Sequence, residues 1–74
     1  MQIKLEGKAE RFKRIATKRT VKVLEALRLL GNCGNRGTYT YTKEEVNRIF
    51  GEVRKTVKDA ESQFAKSEKH KFSL

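Results

Sequence analysis

Lys8, Arg11, Lys13, Arg14, Lys18, Arg19 and Lys22 put seven cations into the fifteen residues from Lys8 to Lys22, with Glu10 the one acid among them. Cations at this density act by electrostatics: they draw in phosphates or carboxylates and displace the counterions that surround a nucleic acid. At about 100° per residue, Lys8, Arg11, Arg14, Lys18 and Lys22 fall within a helical arc of roughly 120°. Such a ridge can follow a phosphate backbone. The plainer reading of the same residues is a solvated helix face. Arg19 lies inside the apolar stripe of that helix, where it can snorkel from the core edge or meet a carboxylate such as Asp59 or Glu61 across an interface.

Further along, Gly31-Asn32-Cys33-Gly34-Asn35-Arg36-Gly37 has the glycine content of a phosphate cradle, to which Arg36 would add charge. It lacks the Lys-Ser/Thr ending of a P-loop, and no strand precedes it, so a helix stop followed by a turn explains it more simply. Tyr39 stands near Arg36 and is a candidate to stack on an unpaired base. Tyr41 is better used as the staple of the following helix. Neither Cys33 nor His70 has a partner for nucleophilic or general-base work, and one Cys with one His cannot build a zinc site. The remaining acids fall four residues from bases, Glu44 with Arg48 and Lys55 with Asp59, as in ordinary surface pairs. No catalytic residues, cofactor or metal are expected, and the chain reads as a binding protein.

Two long helices position these residues. The first is expected over about 8–30, with Phe12, Ala16, Val23, Leu27 and Leu30 on one face and Gly31 as the left-handed residue that ends it. A loop over 31–42 follows. The second start is better marked: Thr42 and Glu45 form a capping box, and Tyr41 with Val46 a hydrophobic staple. The second helix, about 43–66, carries Val46, Phe50, Val53, Val57, Ala60 and Phe64 at alternating steps of four and three, a heptad-like stripe suited to bundle packing. Residues 1–7 read as an N-terminal arm, with Ile3 and Leu5 alternating as in a strand, and 70–74 as a flexible tail. The fold class is all-α, a helical hairpin over 8–69 with two antiparallel helices. Dimerisation or docking on a partner would complete it to a four-helix bundle.

Size and charge narrow the partners. Seventy-four residues with no disulfide framework make a marginal core, so a homo-oligomer or a host complex is expected. The net charge is +9. Residues 1–37 hold ten Lys and Arg against three Glu, a balance of +7, whereas 38–74 hold eight against six acids, a balance of +2. The excess on one half suits an acidic partner, most often a nucleic acid. No apolar run approaches the roughly 20 residues of a membrane span. With one thiol and no signal-like segment, a cytoplasmic setting is expected.

Lys18-Arg19, Leu27-Arg28-Leu29-Leu30-Gly31-Asn32, Asn35, Tyr39-Thr40-Tyr41-Thr42, Glu44-Glu45-Val46 and Ile49-Phe50 resemble a group of small bacterial proteins, some carried by mobile elements. The likeness runs from Arg11 to Phe64 and implies a compact helical fold of bacterial or phage-like origin, with no activity to carry over.

Two functions compete. In the first, a nucleic-acid-binding module, RNA favoured, uses Lys8, Arg11, Arg14, Lys18, Lys22, Arg36 and Tyr39. It would bind by shape and charge, because the first helix is too long for a helix-turn-helix. In the second, an adaptor, accessory subunit or inhibitor docks by its apolar face on a larger machine that handles nucleic acid, such as a ribosomal or RNA-guided nuclease assembly. A peripheral membrane helix is disfavoured, since the basic helix lacks a Trp-rich apolar face.

Overall fold

The structure is a computed structural model of the 74-residue chain. It describes the backbone of residues 5–70 and the side chains of residues 5–66. Two helices, α1 (Lys8–Asn32) and α2 (Lys43–His70), account for the regular structure, and no strand occurs among the described residues. The all-α expectation therefore holds. The chain divides into two compact units, Met1–Tyr39 and Thr40–Leu74, each carrying one helix.

α1 begins behind Gly7, whose extended backbone (φ −74°, ψ 168°) turns the chain into the helix while its carbonyl accepts from the Arg11 N–H at 2.9 Å. No side chain caps this end. Glu10 lies in the first turn, where the helix dipole favours a carboxylate. Of the expected strand-like arm, Leu5–Gly7 are non-helical, and Ile3 lies outside the described residues.

The far end of α1 corrects the sequence expectation. Gly31 and Asn32 are helical, and no described residue has a positive φ, so Gly31 is not a left-handed stop. Cys33 stays right-handed (φ −68°, ψ −9°). Its N–H reaches the Leu30 carbonyl at 3.0 Å, and the Gly34 N–H reaches that of Gly31 at 3.0 Å. Bonds of this i→i+3 type tighten the last turn and satisfy carbonyls that a helix end leaves open. The helix thus narrows into a turn instead of reversing hand, and the loop shortens to residues 33–42.

α2 starts as its sequence requires. The Thr42 N–H donates to Glu45 Oε1 at 2.8 Å, and the Glu45 N–H donates to Thr42 Oγ1 at 3.1 Å. These are the two reciprocal bonds of a capping box. Tyr41 and Val46, which flank it, are both half-buried, as a hydrophobic staple demands. Glu44 and Glu45 add negative charge to the first turn. Within the helix, Thr56 Oγ1 donates to the Glu52 carbonyl at 2.9 Å and Ser62 Oγ to the Asp59 carbonyl at 2.6 Å, so neither hydroxyl competes for a cap. The helix runs to His70, past the end expected at about residue 66, and takes in the first residue of the expected tail; residues 71–74 lie outside the described residues. The surface pairs expected of Glu44 with Arg48 and Lys55 with Asp59 do not form.

Each helix presents its apolar stripe at the expected spacing. Ala16, Leu27 and Leu30 on α1 and Val46, Phe50 and Val53 on α2 are half-buried. Phe12, Val23, Val57 and Phe64 are exposed, and no described side chain is buried. Ile15 is half-buried although the stripe read from sequence omits it. It lies among Arg11, Phe12, Lys18 and Arg19, the i−4, i−3, i+3 and i+4 neighbours whose long stems cover a helix surface.

Thr42→Ala should remove the Oγ1 acceptor of the Glu45 N–H, leaving only the bond from the residue-42 backbone N–H, and destabilise the start of α2 by about 1 kcal/mol. Amide hydrogen exchange should accelerate at residues 43–46, while Glu45→Gln, which preserves the box chemistry, should leave that protection near its original level.

Candidate nucleic-acid interface

The cations predicted to form a ridge do share one continuous helix. Lys8, Arg11, Arg14, Lys18 and Lys22 all lie on α1 and are all exposed. At a rise of about 1.5 Å per residue the ridge is roughly 21 Å long. The helical repeat alone sets their spacing, so the first half of the chain needs no tertiary contact to present them.

Arg14 is not simply a solvated cation. Its Nε donates to Glu6 Oε2 at 2.8 Å and its Nη2 to Glu6 Oε1 at 2.8 Å, a bidentate fork. Arg11 stands at the edge of the same carboxylate, Nε to Oε1, at 4.0 Å. The hydrogen bond from Arg14 holds the Glu6 carboxyl below its ordinary range, opposed by a small desolvation and helped by the guanidinium charge. The same bond and the carboxylate charge raise Arg14 further above its already high value. Both groups face water, so the fork organises side chains more than it stabilises the fold. A carboxylate held in this way occupies the geometry a phosphate would take on the same guanidinium.

Glu6 is the residue of this cluster that periodicity could not reveal. It lies before the helix and eight residues from Arg14, outside every helical spacing rule. Lys8, Lys18 and Lys22 have no carboxylate partner among the described residues. Arg19 is exposed, which fits a snorkelling residue beside the stripe.

Arg36 and Tyr39 belong to the turn and not to the ridge. The ridge ends at Lys22, well short of the end of α1 at Asn32. The intervening ten residues amount to about 15 Å of helix. Both Arg36 and Tyr39 are exposed, Tyr39 by 50 %. The turn between them is closed on itself. The Asn35 N–H donates to the Asn32 carbonyl at 3.3 Å, and the Thr38 and Tyr39 N–H groups both donate to the Asn35 carbonyl, at 3.1 and 2.9 Å. Asn35 Oδ1 accepts from the Gly37 N–H at 2.9 Å, an Asx turn. With the Cys33 and Gly34 bonds, these interactions commit the N–H groups a phosphate cradle would need. The glycine-rich segment is therefore a structural turn, the simpler of its two sequence readings.

Among the described residues no group of three or more His, Cys, Asp and Glu is placed to hold a metal ion. No described helix is long and apolar enough to cross a membrane. No protein-family model matches the chain, nor does any curated protein or solved structure.

The Glu6–Arg14 fork makes a signed pH prediction. Because the folded Glu6 carboxyl titrates below its unfolded value, the fork is fully present above the ordinary glutamate range and is lost as pH falls through the lowered value. A carbon-detected NMR titration should give Glu6 a midpoint below the ordinary glutamate value, and Arg14→Gln should bring that midpoint back up.

Proposed function

We propose that this chain is a small, basic, non-enzymatic module that binds nucleic acid, RNA in preference, through the Lys8–Lys22 ridge of α1 in a cytoplasmic setting. The observation that carries the reading is the set of five exposed cations held on one helix. A row of fixed cations releases counterions from a phosphate backbone without reading bases, and so binds by charge and shape. The Glu6 carboxylate holds Arg14 in a fork that a phosphate can take over. Arg36 and Tyr39, on the turn, would touch a different stretch of a ligand long enough to span both.

The exposed stripes support a second element of the proposal. Phe12 is 55% exposed, Val57 48% and Phe64 61%. Apolar surface in helical register favours a partner face. We infer that a second copy covers these stripes in a helical bundle, through Phe12, Val23, Leu27, Leu30, Val46, Phe50, Val53, Val57 and Phe64. The same stripes also favour the alternative function, an adaptor, accessory subunit or inhibitor docked on a nucleic-acid-handling assembly, in which a host surface takes the place of the second copy.

Replacing Arg11, Arg14, Lys18 and Lys22 together with Gln should leave the helical circular dichroism intact and weaken RNA binding. The log–log salt slope should become shallower by roughly one unit per lost phosphate contact. Unchanged affinity would remove the ridge from the interface. Val53→Asp with Val57→Asp should dissociate or unfold the assembly, because a charge at a bundle core has no partner. A light-scattering mass equal to that of the parent chain, with helicity retained, would contradict the packing face.

A further inference from the structure

α2 carries a second basic face that the even charge balance of its half conceals. At about 100° per residue, Arg48, Arg54, Lys55 and Lys58 share an arc of roughly 120° with Gly51 at its centre, and Lys66 extends it. Glu44, in the first turn, is the one acid on that arc; Glu45, Glu52 and Asp59 repeat every seven residues as a separate row beside it. The near-neutral total of this half thus conceals a basic strip beside a row that holds three of its six acids.

Three observations mark the basic strip as a contact surface. The first is that its cations are not used at home. Arg48 has Glu44 and Glu52 four residues away, and Lys55 has Asp59, yet none of Arg48, Arg54, Lys55 and Lys58 is joined to a carboxylate among the described residues. The second is Gly51, deep inside a 28-residue helix, where glycine is the poorest helix former after proline. A Cβ built there meets nothing within 4 Å, and no described residue has a positive φ, so neither crowding nor backbone conformation within the chain requires glycine. Glycine in such a position suits close approach of another backbone. The third is that Gly51, Arg54, Lys55, Val57, Lys58 and Asp59 line one open groove.

We propose that this groove is a second nucleic-acid contact, in which the sugar–phosphate backbone of a duplex lies against Gly51 while Arg54, Lys55 and Lys58, with Arg48 at the edge, engage its phosphates. The ligand class rests on the reading of α1 above; the contact itself uses no residue of α1. Charge complementarity selects the occupant. A protein partner would bring an apolar centre and would be met by a surface depleted in lysine, whereas here Arg54, Lys55 and Lys58 line the groove beside Gly51 and Val57, against the single acid Asp59. A single strand would be met by stacking aromatics, and this arc has none. Arg48 to Lys58 spans about 15 Å of helix, a straight row suited to the regular phosphates of a duplex, with no amide set to read base edges.

The test uses the full chain and an RNA duplex of roughly 20 base pairs, with a DNA duplex of the same sequence, poly-glutamate and anionic vesicles as further arms. The variants are Arg54→Gln/Lys55→Gln/Lys58→Gln and Gly51→Leu. The triple variant should bind the RNA duplex about tenfold more weakly or worse, with a shallower salt slope. Gly51→Leu should melt at a higher temperature than the parent, because leucine is the better helix former, and yet bind several-fold more weakly. Such a loss of affinity in a more stable chain has no purely structural explanation. If the parent binds the duplex and both variants bind it equally well, the second contact is wrong while the α1 reading stands. If the parent binds neither duplex, the second contact is wrong, and the α1 reading falls with it only if single-stranded RNA is not bound either. If poly-glutamate or vesicles bind as tightly as the duplex and respond to the variants in the same way, the strip serves an acidic protein or a lipid surface and the proposal is overturned.

Discussion

Most cations on α1 and α2 stand within one or two turns of another, and the helices hold them there. Like charges at (i, i+3) and (i, i+4) repel, each such pair costing a few tenths of a kcal/mol, and the chain carries eighteen Lys and Arg against nine Asp and Glu. An isolated basic helix relieves this repulsion by fraying or by collecting counterions. A polyanion relieves it better, because one ligand supplies many charges at fixed spacing and the released ions gain entropy. The distribution of charge on both helices follows from this constraint. Acids gather where the helix dipole wants them, at Glu10, Glu44 and Glu45, and in the row shared by Glu45, Glu52 and Asp59. That leaves continuous basic strips elsewhere.

The Glu6–Arg14 fork belongs to the same picture. It is the best-formed ion pair among the described residues, and it sits at the one helix start without a side-chain cap. The carboxylate orders two arginines of the ridge at little energetic cost to a phosphate that would displace it, since solvent screens an exposed pair and leaves it weak. The turn between the helices, by contrast, keeps its N–H groups for itself. On the proposed reading, phosphate contacts fall to the helices and not to the N–H groups of this turn.

Much of the fold was legible in the sequence because its signals are local. Thr42 and Glu45 announce the start of α2, since both capping bonds lie within four residues, and the alternating spacing from Val46 to Phe64 gives its packing face. The errors also have local causes. Gly31 looks like a stop because glycine so often ends helices left-handed, but a glycine is free to stay helical, and the tightening bonds of Cys33 and Gly34 end α1 instead. Ile15 escapes the stripe because its angle about the helix axis falls inside the basic arc, between Arg11 and Lys8. The ridge itself was legible as a helical arc. Glu6 was not, because an ion pair spanning the arm and the helix leaves no periodic trace. The α2 strip was hidden by summing charge over half the chain when the relevant variable is angle around the helix axis.

The central question is whether the cationic helices hold nucleic acid directly or serve a protein partner. The most direct measurement is purification of the full chain from lysate at low salt, with one half treated with nuclease, followed by light scattering with absorbance at two wavelengths. Direct binding predicts a complex rich in nucleic acid whose mass falls to that of the protein after nuclease or in high salt. A particle of unchanged mass after nuclease, with no nucleic-acid absorbance at low salt, would contradict it.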